Sequence, residues 1–293
     1  MLKDSIKRIL CYGLWGISFS SYAIAGPVLD NIVAKKAIVL GFRESSIPYS
    51  FIDNEGKALG YSLDVCHKII ERINKEKNTT LTIQYQAVFP QTWLTLVQNG
   101  TVNMVCAGVT ITPERLEKIK VTPINADTIN PAVLANNTTI SKKDDLKGKQ
   151  VIVVAGTTGE KLIHRLNADE KFGIKIITAK DYPEAFLLLE QGRGDAIVTD
   201  KVLLAGEIAK SHNPKAFKLL DVPLNEFDLI GIMYSKDDSE LEALIKAQVD
   251  EMKKDGSLFK LYDKWFVQPI GPKGINLNLP LSDAQKKTIE AAK

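Results

Sequence analysis

The chain has 293 residues, 25% charged and 45% hydrophobic, the balance of a globular protein and not of a disordered one. At roughly 100–200 residues per domain, this length makes one large or two medium domains and excludes a small disulfide scaffold. The formal charge is +3, from 38 Lys and Arg against 35 Asp and Glu, and no Lys/Arg cluster is interleaved with aromatics, so nucleic acid is not an expected partner.

Lys3, Lys7 and Arg8 precede a stretch from Ile9 to Ala25 without a charge, and Ala23-Ile24-Ala25 supplies small residues at a cleavage point. This layout is that of an export signal over residues 1–25, with the mature chain starting at Gly26. The alternative is an uncleaved anchor. Its apolar core, diluted by Ser18, Ser20 and Ser21, is short of the roughly 20 residues that a spanning helix needs. Cys11 lacks the small preceding residue of a lipidation signal. Cleavage removes three basic groups and one acid (Asp4), which leaves a mature net charge of about +1. Later apolar runs are strand-sized, so an exported, soluble protein is expected. Its remaining cysteines, Cys66 and Cys106, can pair in an oxidising compartment, or can stay as two buried thiols.

Strands and helices are expected to alternate along the mature chain. Ala37 to Phe42 is an apolar run ending at Arg43. A helix from about Ser62 places Leu63, Cys66, Ile69, Ile70 and Ile73 on one face. Leu81 to Tyr85 alternates as a strand, Pro90 to Gln98 is a short helix stopped by Asn99-Gly100, and Val102 to Ala107 is another strand. Thr112-Pro113 reads as an N-cap with proline at the first helical position. Val121 to Ala132 contains Pro123 and Pro131 and shows no period. Val151 to Ala155 is a strand that turns through Gly156-Thr157-Thr158-Gly159 into a helix carrying Leu162, Ile163 and Leu166. Pro183 to Gln191 is a helix, Ala196 to Thr199 a strand ending at Asp200, and Asp221 to Asp228 a second irregular piece. A strand (Leu229 to Tyr234) and a long helix with Leu241, Leu244, Ile245, Gln248, Val249 and Met252 on one stripe follow. Two similar α/β units crossed twice by the chain fit this order, each with a largely parallel sheet.

Three features carry chemistry. Gly156-Thr157-Thr158-Gly159 opens a helix, where unpaired N–H groups and the dipole favour an anion such as a small carboxylate, or where a plain cap suffices. It lacks the spacing of a nucleotide P-loop. Thr110 and Arg115 flank the Thr112-Pro113 turn, and arginine grips a carboxylate with two parallel bonds, or else serves as a surface ion-pair partner. Asp200 ends a strand at the edge where open α/β sheets bind ligands, unless it caps the next helix.

Arg43-Glu44-Ser45-Ser46-Ile47-Pro48-Tyr49, Gly60-Tyr61-Ser62-Leu63-Asp64, Gln98-Asn99-Gly100, Gly108-Val109-Thr110-Ile111-Thr112-Pro113-Glu114-Arg115, Gly156-Thr157-Thr158 and Tyr262-Asp263-Lys264-Trp265-Phe266 stand in the order of polar amino-acid-binding proteins. With the tail elements Pro269-Ile270-Gly271-Pro272 and Leu281-Ser282-Asp283, the mature chain resembles bacterial extracellular solute-binding proteins of family 3, and within them the glutamate/aspartate branch. The resemblance implies the type II periplasmic binding protein fold: two α/β lobes joined by a two-stranded hinge, with the ligand cleft between them. Lobe 1 would span residues 26–125 and 229–268, lobe 2 residues 126–228, and a C-terminal tail residues 269–293.

It also implies a monomeric, cofactor-free periplasmic receptor. One free amino acid closes the lobes, and an inner-membrane ABC permease with its ATPase takes the closed form. Arg115 would bind the ligand α-carboxylate, helped by Thr110 and by the helix N-terminus at Thr157 and Thr158. Asp200 would take the ammonium with the Thr110 hydroxyl and the Gly108 carbonyl, because a buried zwitterion needs both charges matched. Arg43 would face an acidic or acceptor-bearing side chain. The branch's second arginine and its histidine are replaced by Trp93 and Tyr182, and a small polar residue by Pro90. Trp93 and Tyr182 then either wall a pocket for an aromatic or larger polar ligand or pack. Tyr49 is expected in the pocket; Phe51, Tyr262, Trp265 and Phe266 are expected in the core. An alternative on the same fold is a prephenate or arogenate dehydratase, with Glu184 or Glu226 as the acid. A sensor ectodomain would need a signalling segment.

Overall fold

In this computed structural model, residues 28–270 and 274–292 are described. The export signal and its cleavage point at Gly26 lie outside the described residues, as do Gly271 and Pro272 of the tail.

The first lobe begins with α1 (Val28–Lys35) and β1 (Ala37–Phe42). The short strands β2 (Ser45–Ser46), β3 (Ser50–Ile52) and β4 (Ala58–Leu59) then form a small antiparallel sheet. Helix α2 (Tyr61–Glu76) buries the stripe of Leu63, Cys66, Ile69, Ile70 and Ile73 that its spacing predicts. After β5 (Thr82–Ala87), residues Pro90 to Thr92 form a turn, so α3 (Trp93–Gln98) starts later than the sequence suggests. Next come β6 (Met104–Thr110), buried throughout, and α4 (Pro113–Leu116), whose Thr112 cap accepts from the Arg115 N–H.

The segment expected to be irregular is instead two strands, β7 (Lys120–Asp127) and β8 (Ile129–Leu134), which carry the chain into the second lobe. Its prolines are tolerated for identifiable reasons. β7 lies at the edge of its sheet and Pro123 faces Gly231 at a register shift, where no ladder N–H is required. Pro131 still uses its carbonyl, which accepts from Leu220 N at 3.0 Å.

The second lobe continues with β9 (Gln150–Val154), α5 (Thr158–Asp169), β10 (Lys175–Ala179), α6 (Tyr182–Glu190), β11 (Ala196–Asp200), α7 (Lys201–Lys210) and β12 (Phe217–Leu219). Strand β13 (Asp228–Tyr234) returns to the first lobe. There α8 (Ser239–Lys254) and α9 (Ser257–Tyr262) complete the core, and α10 (Asp283–Ala291) ends the described chain.

Strand order is β5-β1-β6-β13-β7 in one sheet and β10-β9-β11-β8-β12 in the other. β1 is parallel to β5 and β6, and β9 to β10 and β11, as βαβ connections require. Each sheet is mixed, however, because the crossing strands run against the rest: β13 is antiparallel to β6 and β7, and β8 to β11 and β12. The two crossings pair with each other where Asp127 meets Asp228, which makes a two-stranded hinge.

Family-like motifs outside the cleft hold this frame. Tyr61 donates to the Ile124 carbonyl of β7 at 2.7 Å, and Asp64 accepts from the Trp265 indole at 2.8 Å. Tyr262 stacks on Phe266 with centroids 4.0 Å apart, and Tyr61 meets Phe266 edge-on. α10 lies on the hinge, where Gln285 Nε2 donates to the Ala126 carbonyl at 3.0 Å. Phe51, Tyr262, Trp265 and Phe266 are all buried.

Cys66 of α2 and Cys106 of β6 form a disulfide across 40 residues of sequence. The cross-link ties the helix to a cleft-bearing strand and restricts the unfolded chain. Replacing both cysteines by alanine should lower stability by roughly 2–4 kcal/mol, read from denaturant unfolding with and without reductant; equal stability of the two proteins would contradict a formed bond.

Candidate functional site

Open α/β sheets present ligands at the C-terminal ends of their strands, and here both sheets aim those ends at one cavity between the lobes. Arg43 directly follows β1, Gly108 and Thr110 end β6, Gly156 to Thr158 follow β9, and Asp200 ends β11. The cavity is lined from the first lobe by Arg43, Pro90, Trp93, Gly108, Thr110 and Arg115, and from the second by Thr157, Thr158, Tyr182, Asp200 and Leu203. The free volume is about 20 Å³, room for about one water molecule. The lobes are closed on each other, with Thr110 and Thr158 hydroxyls 3.4 Å apart and Arg115 Nη2 3.4 Å from the Gly156 carbonyl.

Tyr49, expected in the pocket, is fully buried behind it. Its ring supports Gly108, which takes φ 71° and could carry no side chain: a Cβ would stand 2.6 Å from the Tyr49 ring. The Tyr49 hydroxyl accepts from Asn125 Nδ2 at 2.8 Å, so this tyrosine shapes the wall without touching the cavity.

Arg115 is 5% exposed, and burial lowers its pKa from the ordinary value. Its Nη1 donates to the Thr110 carbonyl at 2.8 Å, and its guanidinium lies 5.3 Å from the Trp93 ring centroid. The Trp93 indole N–H is buried and has no hydrogen-bond partner. On the other side the Arg43 guanidinium sits over the Tyr182 ring at 4.5 Å, a cation–π contact. Thr157 is the cap of α5: its hydroxyl donates to the Val154 carbonyl at 2.7 Å and accepts from Glu160 N.

The strand-end position alone left Asp200 open between ligand group and helix cap, the family resemblance implied the ligand, and its side chain makes no capping bond to α7. The cap is supplied by a residue that sequence reading missed. Asp127, on the hinge, accepts from Val202 N at 2.9 Å and from Thr128 N at 2.8 Å, while the Thr128 carbonyl accepts from Lys201 N. Nothing local announces Asp127, because the helix it caps lies 75 residues further along the chain. Burial pushes the Asp127 pKa up, and the Asp200 charge adds to this. Asp200 itself is pushed up to about 7, first by burial and then by Asp228, against the pull of Arg115 and Arg43.

Glu184, one acid of the dehydratase alternative, accepts from Lys180 N near the start of α6, and Glu226 is exposed; neither lines the cavity. Among the described residues no cluster fit for a metal ion and no helix fit to cross a membrane occurs.

The profile of the bacterial extracellular solute-binding proteins, family 3, matches residues 38–268. The chain belongs to that family. It is 40% identical over 264 residues to an L-glutamate/L-aspartate-binding protein of Pseudomonas aeruginosa, covering 89% of this chain and 87% of the relative. It is 37% identical over 275 residues to a glutamate/aspartate import solute-binding protein of Salmonella typhimurium, covering 91% and 88%. Among solved structures, an ancestral arginine-binding protein bound to arginine superposes with a TM-score of 0.71 at 28% identity, covering 79% of this chain and 98% of that one. The fold of this family-3 chain is therefore the type II binding-protein fold.

Two buried carboxyls with pKa values raised to about 7, Asp200 and Glu207, contribute to the pH dependence of the ligand-free protein in the same direction as the raised Asp127. Each keeps its proton to higher pH folded than unfolded, so stability is present at low pH and falls as pH rises from about 4 to 7. Thermal melts between pH 5 and 8 should show that decline. Asp200→Asn should flatten it and melt higher than wild type at pH 8, and a lower melting point for the variant there would refute the assignment.

Proposed function

We propose that this chain is the periplasmic receptor of an amino-acid import system, binding one free amino acid with an acidic side chain and handing it to an inner-membrane ABC permease. The observation that carries this reading is a pair of opposite charges held apart. Arg115 and Asp200 are both buried at the cavity, and among the described residues neither forms an ion pair. An α-amino acid supplies the two missing partners in one molecule. Its carboxylate meets Arg115 and the first-turn N–H groups of α5; its ammonium meets Asp200, the Thr110 hydroxyl and the Gly108 carbonyl.

The choice of side chain rests on Arg43. A second buried cation in the same cavity gives a second carboxylate a partner, in line with the ligands named for the relatives at 37–40% identity. Where the glutamate/aspartate branch has a second arginine, Trp93 offers an unpartnered indole N–H, and where it has a histidine, Tyr182 brings a hydroxyl beside Arg43. Both departures keep a hydrogen-bond donor at the site while reducing positive charge. With room for about one water when closed, the lobes must part to admit a ligand, and closure then excludes solvent from every charge. The reading also includes export by the signal over residues 1–25 and action as a monomer.

A thermal-shift panel of the twenty amino acids tests the ligand. Glutamate or aspartate at 100 times its dissociation constant should add about 2.7 kcal/mol of stability. A response only to neutral or aromatic amino acids would remove Arg43 from its role, and consumption of prephenate without amino-acid binding would replace the receptor by an enzyme. Arg115→Ala and Asp200→Ala should each abolish the shift. Trp93→Phe, which deletes a charge-assisted bond worth roughly 1.5–3 kcal/mol, should weaken glutamate binding about tenfold or more in calorimetry; unchanged affinity would make Trp93 a packing residue.

A further inference from the structure

One buried charged group beside the cavity has no part in the scheme above. Glu207 lies on α7 of the second lobe, next to Gly206, where that helix is pressed against the first lobe: a Cβ on Gly206 would stand 2.3 Å from the Ile47 carbonyl oxygen. Glu207 stands one turn beyond Leu203 on the same face of that helix, and Leu203 lines the cavity together with Arg43. Its side chain is 6% exposed, and Oε1 is buried with no hydrogen-bond partner.

Burial pushes the Glu207 carboxyl up to about 7, against Lys210 on its own helix and Arg43 from the facing lobe, with Asp181 before α6 adding to the rise. These groups are not equivalent. Lys210 is exposed and Asp181 half-buried, so water and salt screen both. Asp181 is further engaged in capping α6 through Glu184 N. Arg43 is 4% exposed, and its guanidinium rests on the Tyr182 ring, out of solvent. Among the described residues Glu207 forms no ion pair with any of them. Lys210 pulls on Glu207 ahead of Arg43, but Arg43 is the one of these groups that is shielded from solvent, so its interaction with Glu207 is the least screened.

We propose that Glu207 sets the charge that Arg43 presents to the ligand side chain, and so decides between a carboxylate and an amide there. This rests on the reading of Arg43 as the side-chain partner. Ionised Glu207 offsets the guanidinium and lets an uncharged amide bind without leaving a cation unmatched. Protonated Glu207 leaves Arg43 in surplus, which only an anionic side chain satisfies. By linkage, a carboxylate ligand draws a proton onto Glu207 as it binds, and an amide does not. Asp200 titrates in the same range and also feels Arg43, so the comparison of wild type with Glu207→Gln, which leaves Asp200 in place, isolates the contribution of Glu207.

The test is the glutamate-to-glutamine affinity ratio of the mature protein, measured calorimetrically at pH 5.5 and pH 8.5 for wild type and Glu207→Gln. The wild-type ratio should fall about tenfold across that range, corresponding to one unit of pKa coupling. The variant should hold the low-pH ratio at both. A measurement free of any variant runs beside it: at pH 7, in two buffers of different ionisation enthalpy, wild type should take up more protons with glutamate than with glutamine. A ratio that ignores pH, or equal proton uptake for the two ligands, overturns the role of Glu207 while leaving the receptor reading intact. Failure of both ligands to bind at any pH overturns the assignment of Arg43 and this proposal together.

Discussion

Burying a charge without its counter-charge costs several kcal/mol, and this protein does so at both ends of one cavity. Arg115 and Asp200 come from different lobes, lie out of water, and are held short of pairing with each other. Direct contact would cancel the two charges and leave a neutral, empty seam. Their separation requires that each be positioned by something other than its opposite. Arg115 is held by the Thr110 carbonyl and the Trp93 face, and Asp200 by its place at the last residue of β11. The rest of the fold serves to keep that separation.

Its least expected part is the hinge. An aspartate before a helix ordinarily spends its side chain on the helix N-terminus. α7 receives that service from Asp127 and Thr128 on the crossing strand instead, which leaves Asp200 free to face the cleft. The same exchange couples the hinge to the site, because any rotation that moves β7 moves the cap of the helix that Asp200 precedes. On the first lobe Tyr61 bonds the same strand at Ile124, and Gln285 of the tail bonds it at Ala126. The crossing is thus fixed on one side by an aromatic core and on the other by the helix it caps.

What could be read from sequence divides along the range of the interactions involved. Arg115, Thr157 and the α5 turn were legible because strand, turn and helix follow one another within a few residues. Asp200 was legible as a strand-end acid, but choosing between ligand and cap needed the distant Asp127. β7 and β8 were hidden by Pro123 and Pro131, residues that ordinarily argue against a strand; Pro123 falls on an edge strand at a register shift, a position that a sequence does not mark. Tyr49 was misplaced because an aromatic near an arginine fits a pocket wall as well as a support behind a glycine, and only the contact with Gly108 separates the two. Glu207 gave no signal: a glutamate on an otherwise apolar helix reads as its solvent face, whereas here it is buried.

The contacts across the cleft also indicate where the driving force for closure must come from. The bonds joining the lobes around the cavity are long, at 3.4 Å for both Thr110 to Thr158 and Arg115 to Gly156. The Glu114–Lys161 ion pair at the rim is about half exposed on both partners, a class of contact worth about 0–1 kcal/mol. Against these stand two carboxyls whose pKa values are raised to about 7 by burial, so that near neutral pH closing the lobes means either binding protons or desolvating charge. The protein's own polar contacts do not offset that cost. A ligand that brings an ammonium to Asp200 and carboxylates to Arg115 and Arg43 removes it at the points where it arises, and only such a differential interaction with the closed form can shift the balance of open and closed states.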